Sequence, residues 1–208
     1  MRSHPLRFYS PWFGMDPSDE LNLIQPVNPW VGHAWVAYTE YFQWSPEHNS
    51  NSAPLSVVTG QTLHGSLTYI PAIDSYNLTQ VVIETGAVSS QIVKCQHGKK
   101  YTVPYIVYEK VTKCSNYPPE GKVTFFDIVA QCDGKDCTQS LVWSPKAKTP
   151  NCNMKAVINK PEDTVSITWD TTLPSRYDNM TDSELWDLNM ASAGWVSKLQ
   201  LQRPSESH

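Results

Sequence analysis

Leu55-Ser56-Val57-Val58-Thr59, Gly60-Gln61-Thr62, Leu63-His64-Gly65-Ser66-Leu67-Thr68-Tyr69 reads as strand, break, strand. Apolar and polar residues alternate on both sides of the interruption, the period of a β-strand with one buried face. Working outward, further β candidates fall at 33–44, 80–85, 90–94, 101–109, 123–130, 140–144 and 164–169, each bounded by Gly, Pro, Asn or Asp. Short strands at this spacing predict an all-β chain, an antiparallel double-sheet sandwich or a barrel. No internal repeat is present, which excludes solenoids and propellers.

One segment departs from that pattern. Thr181-Asp182-Ser183-Glu184-Leu185-Trp186-Asp187-Leu188-Asn189-Met190 opens with a capping box, Thr181 to Glu184, and continues with apolar residues at 185, 186, 188 and 190. It is expected to be a short helix following the sandwich. The tail from Gln202 is polar and contains a proline, so it is expected to be disordered. The chain therefore divides into a sandwich at 1–175 and a C-terminal extension at 176–208.

Composition supports strands and loops. Charged residues make up only 17%, while 16 prolines, eight Trp and ten Tyr are present. The net charge of −4 comes with no basic cluster of the kind nucleic acids require, and Lys99-Lys100 beside Gly98 reads as a turn. No apolar run is long enough for a membrane-spanning helix. The start, Met1-Arg2-Ser3-His4-Pro5, is not followed by the apolar core of a signal peptide. Five cysteines and two glycosylation sequons, Asn77-Leu78-Thr79 and Asn179-Met180-Thr181, point instead to an oxidising, secreted setting. The expectation is a secreted protein whose natural N-terminus is missing from the chain.

Cys132 and Cys137 enclose a turn and suit a small disulfide loop. The rival is a zinc site completed by Cys114 and Cys152, but structural zinc ligands come in tighter pairs. Disulfides among these four, leaving Cys95 free, are the expectation, with the connectivity open. The histidines show no metal-binding spacing, and no nucleophile elbow, P-loop or dinucleotide fingerprint occurs. No cofactor is expected.

Several strand-like segments share a different signal. They are Ser10-Pro11-Trp12-Phe13-Gly14-Met15-Asp16; Ile24-Gln25, followed by Trp30 and Gly32; Phe42-Gln43-Trp44-Ser45-Pro46-Glu47; Thr59-Gly60-Gln61 to Tyr69, then Thr85-Gly86; and Ile106-Val107-Tyr108-Glu109, followed by Cys114. In this order, over roughly residues 9–170, they resemble the active-site segments of the glutamic peptidases (eqolisins). The resemblance implies a bent, concanavalin-like sandwich acting as an acid endopeptidase on polypeptide substrates, as a monomer. In that scheme Glu109 accepts a proton from the attacking water and passes it to the leaving amine, while the Gln25 amide donates to the oxyanion. A carboxyl can play both parts near its own pKa. An amide keeps its donor at every pH, and removing such a donor commonly costs about 3–4 kcal/mol.

The resemblance further implies that Trp12 and Asp16 line the cleft, with Tyr41, Gln43 and Trp44 forming its substrate-binding wall. Where the family carries acidic cleft residues this chain reads Gln43 and Thr39, and Ser45 stands in place of a substrate-facing Tyr. The family also has more chain ahead of its Trp-Val-Gly segment than the 11 residues here. Plainer readings exist for each residue. Glu109 beside Lys110 could end a strand in solvent, and Gln25 before Pro26 could sit on an edge strand. Trp12 could be core, and Asp16-Pro17-Ser18-Asp19 is also a turn signal. The rival function is the same sandwich, catalytically silent, holding a peptide or glycan on its concave aromatic face.

Overall fold

A computed structural model describes residues 8–31, 34–94, 96–109, 112–146, 150–159, 164–185 and 187–189. The chain forms two compact units. One comprises Met1–Lys110 with Trp186–His208, and the other Val111–Leu185.

The first unit is a β-sandwich. Its larger sheet takes β1 (Phe8–Pro17), β2 (Asn22–Val27), β3 (Trp30–Val31), β4 (Trp35–Trp44), β5 (Glu47–Asn51), β6 (Leu55–Val57) and β10 (Tyr101–Glu109). The order is β10-β1-β2-β4-β3, with β5 and β6 also pairing β4, and every pairing is antiparallel. The smaller sheet is the meander β7 (Leu63–Ile70), β8 (Ser75–Val82) and β9 (Ala87–Lys94). The stretch that reads as strand, break, strand is thus β6, a turn at Gly60 and β7. Gly60 takes a φ of +91°, a backbone conformation that favours glycine.

The two sheets meet on one face each. Ile24, Tyr41, Tyr76, Leu78, Val93 and Tyr101 form a buried cluster, flanked by Met15, Leu67 and Tyr69. Phe13 also faces inward, over Gly65 of β7. A Cβ at Gly65 would lie 2.6 Å from the Phe13 ring, so glycine is what admits the aromatic there. Beside this apolar cluster runs a hydrogen-bonded polar seam. Ser52 Oγ accepts from the Thr39 N–H at 2.8 Å and shares a hydrogen bond with Ser89 Oγ at 2.6 Å. Gln91 Nε2 donates to the carbonyls of Thr39 and Ser50.

The second unit carries the sheet β11 (Lys122–Phe125), β15 (Thr164–Thr168) and β14 (Lys155–Asn159), plus the hairpin β12 (Gln131–Cys132) and β13 (Lys135–Asp136). Disulfides Cys132–Cys137 and Cys114–Cys152 tie it together, so those four sulfurs are not available to zinc. Cys95 lies outside the described residues. Val165, Ile167 and Trp169 are buried, and Trp169 Nε1 donates to the Pro118 carbonyl at 2.9 Å.

The helix at the C-terminal end forms over 182–185 and 187–189. Its capping box closes as the sequence implies: the Glu184 N–H donates to Thr181 Oγ1, and the Thr181 N–H donates to Glu184 Oε2. The tail from Gln202 falls outside the described residues.

The all-β antiparallel architecture stands, with two corrections. The strand expected at 123–130 ends at Phe125. Residues 140–144 form no strand; a 3-10 turn at Thr138–Ser140 leads into an extended loop in which Val142 is 93% exposed. Pro145 follows immediately and the run has no partner strand, so the apolar pair there cannot join a ladder.

Leu78, fully buried at the centre of the smaller sheet, tests the inter-sheet core. Leu78→Ala is expected to cost about 2–5 kcal/mol of unfolding free energy, read from the midpoint shift in urea.

Candidate active site

Strand register decides which side chains share a face. β1 pairs β10 with Ser10 opposite Glu109, Trp12 opposite Val107, Gly14 opposite Tyr105 and Asp16 opposite Val103. β1 pairs β2 with Trp12 opposite Val27 and Met15 opposite Ile24. β2 pairs β4 with Leu23 opposite Phe42, Gln25 opposite Glu40 and Val27 opposite Tyr38. Since side chains alternate across a strand, these pairings sort the larger sheet into two sets. Ile24, Tyr41 and Met15 point into the sandwich. Ser10, Trp12, Asp16, Leu23, Gln25, Val27, Tyr38, Glu40, Phe42, Trp44, Tyr105, Val107 and Glu109 belong to the outer face.

That outer face has an apolar bed of Trp12, Leu23 and Val27, with Tyr38, Phe42, Trp44, Tyr105 and Val107 packed against it. Phe42 and Trp44 stack edge to face at 5.0 Å between centroids. Polar groups lie within this bed. Gln25 is 6% exposed, and its Nε2 donates to Glu40 Oε2 at 2.5 Å. The other oxygen, Glu40 Oε1, accepts from Asn49 Nδ2 of β5 at 2.8 Å. Tyr38 is held up at about 12 by burial first, then by the charges of Glu40 and Glu109, so both carboxylates bear on the same hydroxyl.

Gln25 and Glu109 therefore share a sheet face, but not a row. Gln25 is level with Gly14, and Glu109 with Ser10, four residues along β1. The row between them consists of Val107, Trp12, Val27 and Tyr38. Among the described residues, Glu109 accepts no hydrogen bond.

Gly14 sits beside Gln25 because β1 and β2 come unusually close there. A Cβ on Gly14 would meet the Ile24 carbonyl oxygen at 2.7 Å and Gln25 Cβ at 3.1 Å, so any larger residue would push the glutamine strand away. Asp16 closes the far end of the face. It is 3% exposed, its Oδ1 has no hydrogen-bond partner, and its pKa rises from the ordinary 3.8 to about 7. Burial is the main cause, with the charges of Glu20 and Asp19 adding to it.

Of the residues named from sequence, Trp12, Asp16, Gln25, Trp44 and Glu109 come together on this face. Tyr41 and Gln43 do not. Both point into the sandwich, where Tyr41 Oη donates to Gln43 Oε1 at 2.7 Å and accepts from Asn22 Nδ2. Gln43 Nε2 in turn donates to the Pro46 carbonyl. The side of β4 that meets Gln25 is one residue out of step with the side expected. Its acidic residue is Glu40, in place of the acidic residues missing at Thr39 and Gln43. The signal that finds Glu40 is parity: it shares the alternation of Tyr38, Phe42 and Trp44.

No protein-family model and no curated protein sequence matches this chain. Solved structures do. Aspergilloglutamic peptidase from Aspergillus niger superposes with a TM-score of 0.57 at 16% identity, covering 78% of this chain and 98% of that one. Scytalido-glutamic peptidase with a transition state analog inhibitor gives 0.59 at 16% identity, over 79% and 84% of the two chains. SCP-B, a member of the eqolisin family of peptidases in complex with the tripeptide Ala-Ile-His, gives 0.53 at 14% identity over the same shares.

The raised Asp16 pKa has a signed consequence for stability. Between about pH 4 and pH 7 the unfolded chain releases the Asp16 proton while the folded chain keeps it, so this group makes folding less favourable as pH rises. Asp16→Asn removes that dependence. Relative to the parent, the variant is expected to gain up to about 4 kcal/mol between pH 4 and pH 7, read from urea unfolding at the two pH values. By fold, the chain is a β-sandwich of the glutamic-peptidase type.

Proposed function

We propose that the chain is an acid endopeptidase that hydrolyses peptide bonds on the outer face of its larger sheet, with Gln25 and Glu109 as the catalytic pair. The observation that carries this reading is the gathering of one buried amide and two carboxyls, Glu40 and Glu109, on one aromatic-lined face of this fold.

The roles follow from what each group is already doing. Both oxygens of Glu40 are engaged, one by Gln25 and one by Asn49, which makes it a poor proton acceptor. Glu109 accepts no hydrogen bond among the described residues and is half-buried, so its carboxylate is available to a water. That water loses a proton to Glu109 as it attacks the scissile carbonyl carbon. The carbonyl π electrons move to oxygen, and the Gln25 amide donates to the oxyanion. As the tetrahedral centre collapses, the C–N bond breaks and Glu109 returns its proton to the departing amine. Four residues of rise and two strand spacings separate the two backbones by roughly 16 Å. Both side chains must lean across the Trp12 row for a water and a carbonyl to fill the gap. The Trp12 indole is the floor on which the substrate backbone rests. A carboxyl base with no histidine or metal helper works where it titrates, in acid.

One observation favours a second reading, in which the same face binds peptide or glycan without cutting it. The row between Gln25 and Glu109 is occupied by apolar and aromatic side chains, a surface suited to binding. Digestion of an unfolded protein at about pH 3–4 separates the two. Under the peptidase reading, Glu109→Gln and Gln25→Ala each lower kcat by about a hundredfold or more while the melting transition is kept. Cleavage unaffected by both removes the proposed pair, and peptide binding without cleavage by the parent selects the second reading.

A further inference from the structure

Gln25 does not stand alone on its sheet. Gln25 and Glu40 are direct cross-strand partners, and Asn49 lies on the next strand, β5, opposite Phe42 and diagonal to Glu40. The three side chains form a continuous run: Asn49 Nδ2 donates to Glu40 Oε1 at 2.8 Å, and Gln25 Nε2 donates to Glu40 Oε2 at 2.5 Å. Gln25 Oε1 is buried and has no hydrogen-bond partner. The amide is therefore anchored at its nitrogen end only.

We propose that Glu40, steadied by Asn49, is a positioning residue that fixes which end of the Gln25 amide is presented as a hydrogen-bond donor. The inference rests on the peptidase reading and adds a residue to it. Its basis is the difference between donors and acceptors. An amide has one end that donates and one that accepts, and turning it over exchanges the two. An ionised carboxylate only accepts, so a charged Glu40 can bind the nitrogen end and never the oxygen end. One Nε2 hydrogen is spent on Glu40, and the second hydrogen on the same nitrogen remains for the oxyanion. A protonated Glu40 gains an O–H donor, which can take Gln25 Oε1 instead. The amide then turns over, its nitrogen leaves that position, and an oxygen lone pair replaces the donor. Among the described residues Oε1 has no hydrogen-bond partner to resist the turn, so the hydrogen bond that orients the amide is the one to Glu40.

Several described groups face Glu40. Tyr38 lies on the same strand, Asn49 and Asn51 on β5, Gln25 on β2, and Glu109 reaches it through their common influence on Tyr38. Among the described residues, Asp16, on β1, is the remaining carboxyl of the face. The carboxylate is held by hydrogen bonds from two amides, Gln25 and Asn49.

The test uses kinetics and a readout that does not need turnover. In Glu40→Gln the residue at 40 can both donate and accept, so Gln25 populates two orientations. With the fold unchanged by melting, kcat is expected to fall by about ten- to a hundredfold, less than for loss of the Gln25 donor itself. KM should change little, and the kcat profile should lose the part of its low-pH limb that belongs to Glu40 while keeping the part that Glu109 imposes as general base. Asn49→Ala weakens the charged form of Glu40, and the same limb should move to higher pH. Glu40→Asp, which keeps a carboxylate, should restore part of kcat. Independently, the side-chain NH₂ resonances of Gln25 should titrate with Glu40 in the parent and lose that titration in Glu40→Gln. If the parent cleaves no peptide but the titration is seen, the peptidase reading fails and the positioning role stands. Gln25 resonances that ignore pH in the parent, or that titrate in the same way in Glu40→Gln, overturn the inference.

Discussion

The register of β2 between β1 and β4 is the constraint on which this molecule depends. It sends Ile24 into the sandwich and Gln25 out of it, and sets Gln25 against Glu40. A slip of one residue would exchange the faces, placing an amide in the apolar core and an isoleucine on the outer face. Two features pin the register. Ile24 is fully buried within the cluster between the sheets. Gly14 lets β2 approach so closely that its Ile24 carbonyl and Gln25 Cβ fill the space a side chain would need. The residue proposed for catalysis is thus located by its apolar neighbour and by a glycine on the adjacent strand, neither of which has any chemistry of its own.

How much of this is legible in the sequence depends on the periodicity of each segment. Long alternating runs read well: 101–109 is β10 to the residue, and 33–44 contains β4. The capping box at Thr181 reads well too, since its two hydrogen bonds are local. Residues 140–144 read badly, because Leu141, Val142 and Trp143 resemble a buried strand unless one knows that no partner is available. Faces are hardest. In β4 every residue from Tyr38 to Trp44 is aromatic, polar or charged, so hydropathy alone does not show which set points inward. The structure resolves this through its polar network. Tyr41 and Gln43 satisfy each other inside the sandwich, with Asn22 as third member, and a tyrosine can be interior when its hydroxyl has partners. Which of Tyr41, Gln43 and their neighbours faces outward is a matter of parity, and parity is a property of pairing with β2, which sequence does not display.

The face opposite that core carries a cluster of buried polar atoms of its own. Within the sandwich, Thr39, Ser52, Ser89 and Gln91 supply one another's partners, while Gln80 Oε1 is buried without one. On the outer face, Ser10 Oγ, Trp12 Nε1, Asp16 Oδ1 and Gln25 Oε1 are buried and have none. Each such atom costs about 1–3 kcal/mol. A chain selected for stability alone would replace Ser10 and Asp16 with apolar residues of similar size, as it already does with Leu23 and Val27 in the same layer. Concentration of these atoms on two adjacent strands, beside the Gln25–Glu40 contact, marks the face as one where stability has been given up locally.

Asp16 shows why that loss is tolerable in acid. A buried carboxyl is expensive only when charged, and burial defers the charge until about pH 7. Below that, Asp16 is a neutral group whose O–H can donate a hydrogen bond. At neutral pH it becomes an anion near Glu20 and Asp19, with no cation facing it on β1. Lys99 is committed to the neighbouring Asp19 at 2.7 Å. The face is thus internally consistent in acid and under electrostatic stress at neutrality. The pH dependence proposed for a carboxyl base on this face runs in the same direction as that of the sheet's stability.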